Sequence, residues 1–518
     1  MEASAPEDAI PLGTQARAML RRAPHPGMEP LLVDPGPHLF LDWRYVQVGE
    51  VNQGPYWADE NGNRMPLRLW DDRAMRMQPF DAHFVARDVA TGIRVEAEKS
   101  RKLEPFPEGR APGTRIICDE GLYRTWYKPH EGVAGARIQY AESTDGFAWS
   151  DPVECRFDWS GGPAITDERP VMFIDPSAPD EERFKVMFRS GIPGGEEGKA
   201  AILRQALETR PDEVFPLDHA AQFLSCMWGA VSPDGLNWKG LPQPLSLHYS
   251  DTTNVTYYDE DLERYVWFGR GSLFGRRCIT RSESVDFCRW PGPQPLVWHS
   301  AADNPADDWY TNAKTIYPGA RREHLMFPAL YHHGDDTLEV ELFSSPDGIV
   351  WSQVPGGPVI EMGEPGAWDG GCMYSGWDLL PLGDDQVALP CYGYIRPHKY
   401  PRNDLTFCTQ TSYAVWPRER LGGIVANDEG SFTTLPLAIR GNRLRLNLRV
   451  KSGGEVRVEA ADAGGEPLPG RTFADADGLT GDALDRQVTW NGAADIAPDA
   501  VMLRFRLRGA KLFAFEFV

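Results

Sequence analysis

The sequence predicts an all-β protein, a five-bladed β-propeller followed by a C-terminal β-sandwich, and three observations lead there. Ser-x-Asp-Gly-x-x-Trp recurs at Ser143–Trp149, Ser232–Trp238 and Ser345–Trp351, with a variant lacking the glycine at Ser284–Trp290. Asp-Gly makes a tight turn and the tryptophan plugs the space beneath it. Upstream of each turn lie short runs rich in β-branched and aromatic residues, while helical periodicity is weak except around Ala200–Thr209. A strand-and-turn repeat of this size reads as propeller blades with loops of unequal length.

The elements follow in chain order. Residues 1–38 form an N-terminal extension, rich in Pro, Ala and charge and lacking the basic start and apolar core of a signal peptide. The propeller is expected over residues 39–423, its ring closed by Phe40 or neighbours. Blade one takes Thr114–Cys118, Leu122–Lys128 and Arg137–Ala141; blade two takes Pro170–Asp175, Arg183–Arg189 and Phe223–Val231. Blade three takes Asn254–Tyr258, Arg264–Arg270 and Arg277–Arg281; blade four takes Asn312–Tyr317, His324–Ala329 and Leu338–Phe343. Blade five takes Met373–Leu380, Gln386–Tyr394 and a strand near Thr406–Val415. After Gly423 the texture changes to short alternating strands between Gly, Asp and Pro turns, which predicts the sandwich over residues 424–518.

Composition narrows the function. Against 53 Lys and Arg stand 75 Asp and Glu, a net charge of −22, so nucleic acids and anionic membranes are repelled over most of the surface. No stretch approaches the roughly 20 apolar residues of a membrane helix. Eight cysteines without Cys-x-x-Cys spacing read as free thiols. A cytoplasmic bacterial protein is expected, acting on a small molecule without an organic cofactor; a divalent cation and a homo-oligomer are left open. His-Glu-x-x-His, a glycine-rich phosphate loop and Gly-x-Ser-x-Gly are all missing from the sequence.

In a propeller the innermost strand of each blade starts at the mouth of the central channel, so residues there converge. Acids recur at those starts: Glu168 beside Arg169 in blade two, Asp251 in blade three, Asp307 and Asp308 before Tyr310 in blade four, and Asp369 after Trp368 in blade five. Glu104 or Glu108 stands for blade one, and Asp42 could enter from the closing strand. Several carboxylates in one aromatic-rimmed pocket are what glycoside hydrolysis requires, one holding a proton and another ionised. Asp251 and Asp369 are the expected acid and base or nucleophile, with Glu168 as stabilising acid and Glu104 as the blade-one candidate. Arg169, Arg270, Tyr310, Trp368 and His398 would hold the sugar. Plainer readings stand beside these: the acids as loop caps, the arginines as ion-pair partners, the aromatics as core plugs, and His398 as a solvated loop residue. Asp145, Asp234 and Asp347 are turn residues, and His332-His333 reads as surface loop.

On these residues the chain resembles the five-bladed propeller glycosidases of families 32, 43 and 68, and most closely a bacterial family 32-like group. Glu168-Arg169-Pro170 before Val171–Ile174 is similar to the family's Arg-Asp-Pro strand with the two charged residues in the other order. Leu39-Phe40-Leu41-Asp42 and Gly441-Asn442-Arg443-Leu444-Arg445-Leu446-Asn447 are similar to the group's opening and sandwich motifs. The family 32 Trp-x-Asn-Asp-Pro-Asn-Gly box is absent, and Glu154-Cys155 precedes the second-blade strand where the family's acid/base pair follows it. The resemblance implies a glycosidase on a small glycoside or oligosaccharide. Two other readings fit the scaffold: a metal-dependent lyase or glycosyltransferase with His398 and two carboxylates as ligands, and a non-catalytic carbohydrate-binding propeller.

Overall fold

The computed structural model describes residues 30–51, 56–58, 64–66, 86–107, 112–128, 137–159, 171–209, 225–248, 250–251, 254–399 and 409–518. Backbone contacts divide the described residues into two units, one of residues 97–418 and one combining residues 30–96 with 419–518.

The first unit is a propeller of small, mainly antiparallel sheets, each laid down from the inside outward. Ile116–Asp119, Leu122–Tyr127, Gln139–Ser143 and Val153–Glu154 form the first blade. Val171–Ile174, Phe184–Gly191, Ser225–Ser232 and Asn237–Gly240 form the second, with Arg156–Asp158 added in parallel at its edge. Val255–Asp259, Arg264–Leu273, Arg276–Ser284 and Gln294–Val297 form the third. The next blade is split into two interleaved sheets, Asp307–Trp309 with Ala329–His332 and Thr337–Val340, and Lys314–Ile316 with His324–Met326, Phe343–Ser345 and Ser352–Gln353. The last pairs Cys372–Ser375 and Leu380–Leu382 with Gln386–Tyr394, which pairs with Thr409–Pro417.

Closure comes from the chain just before the first blade. Arg101 and Lys102 pair with Val415 and Ala414 as the outermost strand of the last blade, so that edge is covered by a distant segment. Phe40 does not close the ring. Leu39 lies opposite Ala514, and the Phe40 ring packs on Phe432, Phe505 and Phe515 in the second unit. The described part of residues 39–96, expected in the propeller, therefore belongs to the sandwich. Leu39, Phe40 and Leu41 are three consecutive core residues, at most 1% exposed, and only a two-faced core can bury all three.

The Ser-x-Asp-Gly repeat turns out to join blades as well as turn strands. Each glycine sits at positive φ (78° at Gly146, 76° at Gly235, 72° at Gly348), the conformation glycine adopts without steric cost. Each Asp Oδ1 then takes two backbone N–H groups, as Asp234 does from Leu236 and Asn237 at 2.8 and 2.7 Å. This exposes the glycine carbonyl to the preceding blade: Trp126 Nε1 donates to Gly235 O at 2.7 Å, and Tyr413 Oη donates to Gly146 O at 2.8 Å. In the third blade, which lacks the glycine, Phe287 packs on Phe173 of the second instead. A buried ion pair adds to the same seam, with Lys185 Nζ 2.7 Å from Asp175 Oδ2 and Tyr265 Oη donating to the same oxygen at 2.7 Å.

In the second unit eight strands hydrogen-bond into one sheet, and Glu50–Val51 with Ala86–Arg87 and Tyr56–Ala58 with Arg64–Pro66 form two small separate sheets. Leu444–Asp462 and Ala500–Phe517 run side by side along their length, with register shifts at Asn447/Leu448 and Val450/Glu455 that let long strands bend around an aromatic core. The one α-helix among the described residues, Gly195–Thr209, is an insertion in the second blade that buries Ala206 against it. No helix among the described residues is long and apolar enough to cross a membrane.

Candidate active site

Four blades send side chains to one group at the end where the inner strands begin. Ser250 and Asp251 precede the inner strand Val255–Asp259, and this corner is pinned: Ser250 Oγ accepts from Arg270 N at 3.0 Å, and Asn254 Oδ1 accepts from Trp267 Nε1 at 3.1 Å. Asp251 is thereby presented with its side chain 39% exposed. Arg189, at the end of the second blade's second strand, donates Nη1 to Asp251 Oδ1 at 2.6 Å, and Arg270 donates Nη2 to Oδ2. Both carboxylate oxygens thus accept, a role filled by the carboxylate form.

The group continues into the fourth and fifth blades. Arg270 lies over the Tyr310 ring at 4.6 Å, with Arg277 5.1 Å from the same ring. Tyr310 Oη is 2.9 Å from His398 Nε2, and Tyr374 Oη is 2.7 Å from His398 Nδ1. Burial, with Tyr392 and Tyr394 alongside, holds the Tyr374 phenol well above its ordinary pKa. It therefore stays protonated, and His398 links the two phenols through both of its ring nitrogens. Arg270 Nη1 is buried without a hydrogen-bond partner among the described residues. At the outer side Arg277 Nη1 and His333 Nε2 share Asp308 Oδ2 at 2.8 and 2.9 Å.

Asp251, Arg270, Tyr310 and His398 are thus brought together, whereas Asp369, Trp368 and Glu104 lie elsewhere. Asp369 is buried, its carboxylate tied to Lys102 Nζ on the outermost strand of its own blade. The cause is local: Gly393 leaves room on the neighbouring strand for Asp369 and Trp368 to lie across it, so both cover the blade. Glu104 is exposed beside that same outermost strand, where its backbone carbonyl accepts from Ser412 Oγ at 3.3 Å. Glu168, Arg169 and Glu108 lie outside the described residues. His333, read as surface loop, joins the Asp308 pair. Arg189 and Tyr374 escaped sequence reading; the signal for Arg189 was its place at the end of a strand whose other end pairs in the hairpin turn.

Both ring nitrogens of His398 are engaged by tyrosines, which leaves neither for a metal. Among the described residues no group of three or more His, Cys, Asp or Glu side chains is placed to hold a metal ion.

No protein-family model matches the chain, and no curated protein matches it. Solved structures to which it is similar include glycoside hydrolases of families 32 and 43. One described as a glycoside hydrolase has 13% identity and a TM-score of 0.40, covering 62% of this chain and 92% of its own. The exo-inulinase from Aspergillus awamori has 12% identity and a TM-score of 0.36, covering 82% and 98%. An N-acetylgalactosamine deacetylase from F. plautii has 13% identity and a TM-score of 0.39, covering 63% and 96%.

Proposed function

We propose that the chain is a glycoside hydrolase acting on a small glycoside or oligosaccharide at the mouth of the propeller, as a cytoplasmic enzyme with no nucleic-acid or membrane partner. The observation that supports it best is Asp251, a half-exposed carboxylate clamped by two arginines beside a tyrosine that His398 holds in place. In this reading Asp251 works ionised, as nucleophile, base or stabiliser of an oxocarbenium-like transition state, and not as the proton donor. Glu168, three residues before the inner strand Val171–Ile174, is the proposed proton donor. Arg270 and Tyr310 would bind ring hydroxyls, with His398 and Tyr374 holding the Tyr310 oxygen in place.

The test is a panel of aryl glycosides with the purified protein, followed by Asp251→Asn and Glu168→Gln on a responsive substrate. Each change should lower turnover by about 10²-fold or more. A protein that binds sugars in the panel without hydrolysing any would be a carbohydrate-binding propeller, and the hydrolase reading would fall.

A further inference from the structure

A cavity opens toward the other end of the inner strands, away from Asp251. Its volume is about 580 Å³, and its walls include Ile117, Ile174, Val255, Ile316 and Leu380 from inner strands around the ring, with Tyr258 and Asp259 at the far end of the third blade's inner strand. Two cations, Arg115 and Lys314, stand in it with incomplete partners. Arg115 is 5% exposed: Nε donates to Met172 O at 2.9 Å and Nη2 pairs with Asp378 at 3.1 Å, while Nη1 is buried with no hydrogen-bond partner among the described residues. Lys314 is 2% exposed, and its ammonium makes no ion pair or hydrogen bond among the described residues; it rests 3.7 Å above the Tyr257 ring. A buried ammonium without an acceptor is costly.

Three further observations point to a ligand. Asp378 keeps 27% of its side-chain surface although it is hemmed in by the blades, because that surface faces the cavity. Ala313 and Asp378 take φ of 40° and 66°, a region non-glycine residues seldom occupy, and they flank the cationic floor. Backbone links hold the strained turn at Asp378: Trp377 N donates to Thr114 O at 2.9 Å and Leu379 N to Thr315 Oγ1 at 3.1 Å. Of the acids at the rim, Asp259 accepts N–H groups of its own turn, Asp261 pairs with Arg321 and Glu260 is exposed to solvent, so the deep floor holds two cations against the single carboxylate of Asp378.

We propose that this cavity is a binding site for a small organic carboxylate with an apolar body, its acid group accepting from Arg115 Nη1 and Lys314 Nζ. The carboxylate supplies the acceptor both donors lack, and the aliphatic walls take the rest of the molecule. Burial pushes the Lys314 ammonium down to about 7, with Asp259 and Asp378 opposing and Arg281 and Arg115 reinforcing that shift; a bound anion would restore its charge.

Calorimetric titration of the full chain with benzoate, glucuronate and inorganic phosphate tests it. Benzoate should bind, and Lys314→Met, which keeps the stem and removes the unpaired charge, should fold at least as stably and weaken binding by about tenfold or more. Glucuronate and phosphate should bind more weakly than benzoate. Preferential binding of phosphate or glucuronate would overturn the ligand class. Absence of benzoate binding at about 10 mM, or undiminished binding in the Lys314→Met protein, would overturn the site.

Discussion

Replacing Gly235 by alanine tests whether the turn repeat joins blades. At φ 76° an L-residue meets a backbone cost of about 1–2 kcal/mol. The new Cβ would also lie 2.8 Å from the Trp126 ring, a side chain 1% exposed and already hydrogen-bonded to the Gly235 carbonyl. Overpacking of that kind adds about 1–3 kcal/mol, for a total of about 2–5 kcal/mol. With an unfolding entropy of about 2.1 cal/mol/K per residue over the roughly 320 residues of the propeller unit, the propeller transition should fall by about 3–7 °C. Gly275 supplies the control, since it has φ 80° and nothing within 4 Å of a Cβ. Gly275→Ala should show the backbone cost alone, about 1.5–3 °C. Differential scanning calorimetry of both variants gives the answer. Equal shifts would show that the Trp126 contact contributes nothing, and the interblade role of the turn would be wrong.

Three other outcomes follow from the structure. Asp369→Asn should lower stability by about 1–3 kcal/mol in urea unfolding, because Lys102 loses its carboxylate while staying partly exposed, and turnover on a responsive glycoside should hold within about twofold. Lys314, its folded pKa lowered to about 7 by burial from the ordinary 10.5, binds fewer protons folded than unfolded between those values. Unfolding midpoints should therefore rise from pH 7 toward pH 10, and Lys314→Met should flatten that slope. Tyr310→Phe keeps the ring under Arg270 and removes the hydroxyl shared with His398, so kcat/KM should fall about tenfold with the melting temperature nearly unchanged.

Much of the propeller is written locally, in the spacing of turns and the runs of β-branched and aromatic residues between them. The closing strand is not, because Arg101-Lys102 is too short to show a pattern and its pairing depends on a partner some 300 residues away. Leu39-Phe40-Leu41 looks like any buried strand; only the aromatic surroundings at Phe505 and Phe515 decide which core it enters. At the site, Asp251 and Asp369 are alike as acids before an inner strand. What separates them is a neighbour, two arginines for one and Lys102 for the other, and neither choice is visible before the chain is folded. The Arg115–Lys314–Asp378 floor was invisible for the same reason, since its members are single residues on three different blades.

Chemical rescue reads out whether Asp251 takes part in glycoside cleavage as an ionised group. Asp251→Gly should lose about 10²-fold or more of the wild-type turnover on an activated aryl glycoside, and added azide should restore a measurable part of it by occupying the space of the missing carboxylate. A loss that azide leaves unchanged would exclude Asp251 as nucleophile or base, and wild-type turnover in Asp251→Gly, with the fold intact by circular dichroism, would show that Asp251 takes no part in cleavage.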